Sequence, residues 1–464
     1  MSSEERLSLK KILLIGISLG IFSGFGAVLF FSGVKYLSQF VLNNLLGYVY
    51  PVEGNTAAEI SAWSPPDFIW LIIPIITAGA LVSSIIVQRF APEAEGHGTD
   101  SALKSYHTDG KIRWRVPFVK AISSIITIGT GGSAGCEGPA VQISAGFGSV
   151  ISDIFHLSPF ERKMAIAVGI GAGVGAIFKA PLGGALLAAE ILYLRDFEYK
   201  TIIPAFIASI ISYAIFGFFE GYTPLFGSAE LYWSVPQIPL FIILGAAAAL
   251  IGLLYIKTFY GSKNLFDKIF TKYRIPKFLK PVAGALIVGI FVVAMAYISP
   301  ETLITAVGSL GTGYGFVQLA LYNMLPLAVL ILIPFSKILT TSLTIGSGAS
   351  GGVFAPGLSI GAFTGGAFGM ILYTFFPQIV PLESVPVFVI VGMIALFGGI
   401  SHAPAAVMIM VLEMTTNFSI LVPAMAAVIL SVIILKDKTI FRQQRISKEN
   451  QKTLDEDCAL STDL

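Results

Sequence analysis

The chain has 464 residues, 55% of them hydrophobic and only 12% charged, with a formal net charge of +2. A soluble protein of this length carries roughly twice that share of charged residues, because its core needs a charged shell; the deficit makes lipid the solvent for most of this surface. The near-neutral balance gives no basis for a nucleic-acid partner. Two cysteines, Cys136 and Cys458, provide no disulfide framework, and four histidines without ligand spacing predict no metal site and no cofactor.

Residues 1–10 are polar and charged and read as a cytoplasmic N-terminus. The apolar stretch that follows is too long for the core of a cleavable leader. Apolar segments then run Ile12–Leu46, Phe68–Val87 and Ile202–Phe219 in a first half, residues 11–219. A second half, residues 220–435, holds Ile238–Ile256, Val282–Ile298, Met324–Ile338, Gly357–Phe376, Val387–Gly399 and Ile420–Leu435. Several reach the roughly 20 residues a helix needs to span hydrocarbon. Others are short or cut by Gly and Pro. Irregular backbone at membrane depth survives only where protein buries it or a polar cavity wets it, so the cuts predict half-helices ending inside the protein. The segments lack strict alternation, which argues against a β-barrel. The expected fold class is all-α and polytopic, in a cell membrane.

Loop charge predicts the orientation. Asn43–Asp67, Phe218–Pro236, Ile298–Gly313 and Phe376–Ser384 contain no Lys or Arg, whereas Gly261–Lys280 contains six. The basic loop, and with it both termini, is expected to be cytoplasmic. Residues 436–464 form a short tail, basic and then acidic.

The two halves share a pattern. Ser133-Ala-Gly135-Cys-Glu137-Gly-Pro139 and Ser350-Gly-Gly352-Val-Phe354-Ala-Pro356 both read S-x-G-x-[E/F]-x-P, at an offset of 217. Ala180-Pro181 precedes Glu190 as Ala403-Pro404 precedes Glu413, at an offset of 223. Two matched motifs in one order indicate an internal repeat, as in transporters whose substrate site lies between repeats near the midplane.

Each Gly-rich stretch leads through a Pro into an apolar helix. A helix start carries unpaired N–H donors and roughly half a positive charge. Two such starts meeting at midplane would bind an anion without a full positive charge, and so would also release it. Neither stretch has the Lys-Ser/Thr ending of a nucleotide loop. Glu137 is a carboxylate inside this anion site. An intramembrane acid marks function by default; here it would compete with the permeating ion and gate its path.

These residues resemble the CLC family of chloride channels and chloride/proton exchangers. The match runs from the first long helix to about Arg445. Gly96-His97-Gly98-Thr99-Asp100 is similar to the family element G-S-G-I-P, Gly135–Pro139 to G-R-E-G-P with its gating Glu, and Gly352–Pro356 to G-x-F-x-P. The resemblance implies two antiparallel (inverted) repeats of tilted helices, and a homodimer with one pore per subunit. It implies chloride binding by His97, Gly98, Gly138, Val353, Phe354 and Phe441, with other halides or nitrate as further candidate anions. Pro139 fits the chloride pattern better than a fluoride-specific one. Many relatives add a C-terminal regulatory domain pair, for which residues 436–464 are too few.

Departures from the family pattern bear on mechanism. His97 stands where a Ser hydroxyl usually faces the central anion, and reads as a packed histidine or a pH-sensitive group. Phe441 replaces the Tyr that closes the inner side. Ile191 occupies the place of the exchangers' inner proton acceptor and cannot titrate, so that position is lost. Glu190 and Glu413 match each other in the repeat and read as structural supports, and Lys120 as an electrostatic one. Ile191 and Phe441 tilt the reading toward a passive chloride channel gated by Glu137; the alternative is a chloride/proton antiporter whose proton route avoids position 191.

Overall fold

A computed structural model describes residues 9–227 and 231–448. Cys458, residues 1–8 of the N-terminus and the tail beyond 448 lie outside the described residues. The described chain is helical, with isolated bridges in place of a sheet. The first half runs α1 (Leu9–Ser38), α2 (Ala57–Ile60), α3 (Ile72–Phe90), α4 (Thr99–His107), α5 (Arg115–Gly129), α6 (Glu137–Ile154), α7 (Pro159–Ile177), α8 (Pro181–Glu190) and α9 (Ile202–Glu220). The second runs α10 (Ile238–Lys272), α11 (Leu279–Ala296), α12 (Pro300–Gly308), α13 (Tyr314–Leu321), α14 (Leu327–Thr344), α15 (Phe354–Phe375), α16 (Val385–Ser401), α17 (Pro404–Thr415) and α18 (Leu421–Leu435).

The repeat predicted from two motifs extends to the packing. Helix α1 packs on α9 and α7 as α10 packs on α18 and α16; α6 packs on α7 as α15 packs on α16. The halves then meet like with like, α3 on α11, α8 on α17 and α6 on α15. This is the arrangement of two copies related by a local two-fold.

Nine helices among the described residues are long and apolar enough to cross a membrane. Their exposed side chains include Phe22, Phe25, Leu29, Ile210, Phe218, Leu250, Ile290, Phe335, Ile429 and Ile433, apolar groups that only lipid or another subunit would cover. The span around α16 is wholly enclosed by protein, which accounts for its being apolar all round.

Two expectations change. Helices α5–α8 escaped the apolar segments; in α6–α8 about half the residues are Gly, Ala or Ser, and α5 is interrupted by Arg115, Pro117 and Lys120. Their neighbours are other helices, and small residues permit close backbone approach there; α7 is buried over nearly its whole length. The basic stretch Gly261–Lys280 is not a loop throughout. Helix α10 continues through Lys272 over 35 residues, about 52 Å at 1.5 Å per residue. That exceeds the hydrocarbon thickness, so its Lys-rich end projects into the headgroups or beyond.

Local starts follow ordinary capping chemistry. Ser158 opens α7: its hydroxyl accepts from Glu161 N–H, while Glu161 accepts from Ser158 N–H. Glu161 also receives Lys11 at 2.6 Å, tying α1 to α7. Ser158→Ala should cost about 1 kcal/mol, measured as a lower melting temperature in detergent.

Candidate functional site

The two Gly-rich stretches meet. Gly135 N–H donates to Gly352 O at 2.8 Å and Gly352 N–H to Gly135 O at 2.7 Å, a reciprocal antiparallel pair on the local two-fold. The approach is closer than any side chain would allow: a Cβ on Gly138 would strike the His97 carbonyl oxygen and stand 2.8 Å from Gly352 Cα. Helices α6 and α15 start within two residues of this bridge. Their first-turn N–H groups therefore open onto one buried region.

Symmetric supports hold the crossing. Ser350 is bonded by Ser123 and Ser124, each at 2.9 Å. Ser133 is bonded by Thr340 at 3.1 Å and Thr341 at 2.9 Å. Two fully buried lysines are also mates. Lys120 donates to Ala94 O at 3.1 Å and Gly96 O at 2.6 Å. Lys337 donates to Ser309, Leu310 and Gly311 O at 3.1, 3.2 and 2.6 Å. Both ammonium groups thus fix the loops before α4 and α13 rather than facing the helix starts as bare charges.

Glu137, the first residue of α6, has no solvent exposure. Its Oε1 accepts from Tyr314 O–H at 2.8 Å, and its Oε2 accepts from Ala355 N–H at 3.3 Å. The carboxylate of one repeat therefore occupies the anion position at the helix start of the other. Its mate by the 217 offset is Phe354, so only one of the two symmetric positions carries a charge.

A cavity of about 610 Å³ reaches Cys136 and residues 311–313 on one side of Glu137, lined also by Tyr50, Glu53, Lys179 and Lys35. These walls belong largely to the Lys- and Arg-free stretch 43–67 and to the ends of α1 and α9. On the other side the wall is aromatic. Phe354 meets Phe397 in a tilted pair at 3.9 Å between centroids, Phe397 meets Phe441 at 6.4 Å, and Phe441 meets the His97 ring at 5.8 Å. The Val353 carbonyl accepts from Tyr255 O–H at 3.3 Å. Thus Glu137, His97, Gly98, Gly138, Val353, Phe354 and Phe441 come together, with Lys120 behind them.

Glu190 and Glu413 do not join this group. Glu190 accepts from Ala405 and Ala406 N–H at 3.2 and 2.6 Å, and Glu413 from Leu182 and Gly183 N–H at 3.1 and 2.7 Å. Each acid at the end of one half-helix caps the start of its mate across the two-fold, where helix polarity favours a carboxylate. Ile191 follows α8, buried and apolar. Glu413→Ala should strip the α8 start of its acceptor and lower stability by about 1–2 kcal/mol. A thermal melt reads that loss.

Sequence reasoning missed Tyr314, Lys337, Phe397 and also Phe178, whose ring lies 5.0 Å from that of Phe354. The offset of 217 already pointed to two of them, since it carries His97 onto Tyr314 and Lys120 onto Lys337. Gly96 and Gly313 are likewise mates, at φ +76° and +88°.

Comparison with known proteins agrees with this geometry. The chain is 31% identical over 415 residues to an uncharacterised protein of Methanocaldococcus jannaschii, covering 89% of this chain and 97% of that one. It is 30% identical over 421 residues to the H(+)/Cl(−) exchange transporter ClcA of Yersinia pestis, covering 89% and 82%. Its fold matches the crystal structure of a slow cyanobacterial Cl−/H+ antiporter with a TM-score of 0.76 at 24% identity, over 94% of this chain and 97% of that chain. The voltage gated chloride channel family model matches residues 79–436, and the chain belongs to that family.

Proposed function

We propose that this protein exchanges chloride for protons across a cell membrane, with Glu137 as both gate and proton carrier. The observation that carries the reading is the Glu137 carboxylate seated on the first turn of α15. A charged carboxylate and a chloride ion cannot share one set of N–H donors, so one displaces the other. A protonated Glu137 binds those donors more weakly, leaves, and takes its proton with it. The 30% identity to a H(+)/Cl(−) exchange transporter supports exchange over the passive channel. In this reading chloride lies against His97, Gly98, Gly138, Val353, Phe354 and Phe441. The site needs no metal or cofactor, since peptide N–H groups bind a halide unaided. The protein acts as a homodimer with one pore per subunit, both termini in the cytoplasm, and the cavity at Cys136 opening to the outside.

The channel reading keeps one specific support. Buried Ile191 cannot take up a proton, so the route used at that position elsewhere in the family is closed. Flux from liposomes holding pure protein separates the two. Under a chloride gradient, exchange drives protons uphill, and external pH changes as chloride leaves. Fast chloride efflux with no pH change would leave only the channel.

Tyr314→Phe removes one donor from the seated carboxylate. A hydrogen bond to a charged group contributes about 1.5 kcal/mol, roughly tenfold in the seated-to-released ratio. Chloride efflux at neutral pH should therefore rise several-fold, read with a chloride electrode; unchanged efflux would mean that the hydroxyl does not hold the gate.

A further inference from the structure

Ile191 puts no titratable group at the place where the family resemblance sets the inner proton acceptor. The repeat shows where to look for one. Tyr314 reaches Glu137 on the cavity side, and the local two-fold carries Tyr314 onto His97. His97 therefore flanks the helix starts from the opposite side, that of α4 and the residues after α18. Its carbonyl packs on Gly138, and its ring joins the aromatic wall through Phe441 and Phe259, at 5.8 and 6.1 Å.

The imidazole is buried and its two nitrogens differ. Nε2 lies 3.2 Å from Asp100 Oδ2. Nδ1 is enclosed and has no hydrogen-bond partner, and Gln142 Oε1, beside Gly98, has none either. Two unpartnered polar atoms thus lie close to Gly98 and Gly138, where a donor and an acceptor remain to be satisfied, as most buried polar groups are. Asp100 is partly exposed; its Oδ1 accepts from Gln443 N–H at 3.2 Å.

We propose that the His97–Asp100 pair is the inner proton-binding site of this transporter, and that protonation at Nδ1 and chloride binding beside Gly98 and Gly138 strengthen each other. The proposal rests on the exchange reading above. In neutral His97 with the proton on Nε2, 3.2 Å from Asp100 Oδ2, Nδ1 offers a lone pair, which repels an anion. A proton arriving from the inner solution past Asp100 adds to Nδ1; no other bond forms or breaks. Nδ1–H then becomes a donor toward the anion, and imidazolium and aspartate together are neutral.

The groups facing the pair work in both directions. Lys120, on α5 and bonded to Gly96 O, opposes a second positive charge. Asp100 favours it. From α10 come Phe259 and Tyr260, and from the segment after α18 come Phe441, Arg442 stacked on Tyr260 at 3.5 Å, and the Gln443 amide. From α6 comes neutral Gln142. Asp100 is the only carboxylate among these groups in direct contact with the ring.

Calorimetric titration of the full-length protein with sodium chloride, in the Glu137→Gln background to silence the other titrating acid, tests the pair. Chloride affinity should fall at least tenfold from pH 5.5 to pH 8.5. Near neutral pH, binding should take up as much as about one proton per chloride, read from the dependence on buffer ionisation enthalpy. Adding His97→Gln or His97→Ser should flatten both readouts while chloride still binds; the two variants guard against one that fails to fold. Asp100→Asn should leave weak binding at pH 7 that recovers only in acid. Chloride affinity that ignores pH in the Glu137→Gln protein, or a pH response that survives both His97 variants, overturns the proposal. Absence of chloride binding at every pH overturns the transport reading itself.

Discussion

Glu137→Gln should leave chloride efflux from liposomes at or above the wild-type rate while chloride-driven proton uptake falls below a tenth of it. The amide has the shape of the carboxylate and none of its charge. It can still accept from Tyr314 and Ala355, but as a neutral group it loses the extra strength of a charged acceptor, for which hydrogen bonds contribute about 1.5–3 kcal/mol. The balance between side chain and chloride on the α15 donors shifts by tenfold or more toward chloride. An amide also carries no proton in the working pH range, so the response of efflux to external pH should vanish. Persistent proton uptake in this variant would remove Glu137 from the mechanism.

Gly138→Ala is expected to have the other large effect. The added methyl would have to occupy space held by the His97 carbonyl and Gly352 Cα. These are backbone atoms on two different repeats, so relief requires the crossing to open. Overpacking a tight core costs about 1–3 kcal/mol, and here the displaced atoms border the proposed anion site. Chloride flux per folded protein should fall at least a hundredfold. Gly96→Ala is the contrast: nothing lies within 4 Å of its added Cβ, and only the φ of +76° is strained. It should cost about 1–2 kcal/mol of stability and retain most flux. Equal flux from both variants would mean that the close approach at 138 has no part in conduction.

Composition and hydropathy made the lipid-facing spans legible, because burial in lipid leaves a uniform apolar signature. The Gly-rich helix starts were legible for a different reason. A backbone crossing of two repeats admits only small residues, and that demand writes the same short pattern twice. Helices α6–α8 were not legible by hydropathy, since their close packing selects Gly, Ala and Ser, which carry little apolar signal. The reciprocal caps of Glu190 and Glu413 were visible only as a matched pair; that each acid serves the other's helix requires the two-fold in space. The partner of Glu137 was hidden because Tyr314 stands 177 positions away, although the repeat offset from His97 lands on it. The basic end of α10 was misread as a loop because charge alone does not distinguish a solvated helix end from an irregular segment.

The claim on which the rest depends is that peptide N–H groups at two interrupted helices form an anion site for which Glu137 competes. Crystals of the Glu137→Gln protein grown in bromide, with the ion located by its anomalous scattering, test this most directly. The account predicts a bromide between the starts of α6 and α15, at the place the Glu137 carboxylate holds against Ala355 N–H, and a weaker one there in wild type. A bromide found only elsewhere, or equal occupancy at that position in both proteins, would contradict it.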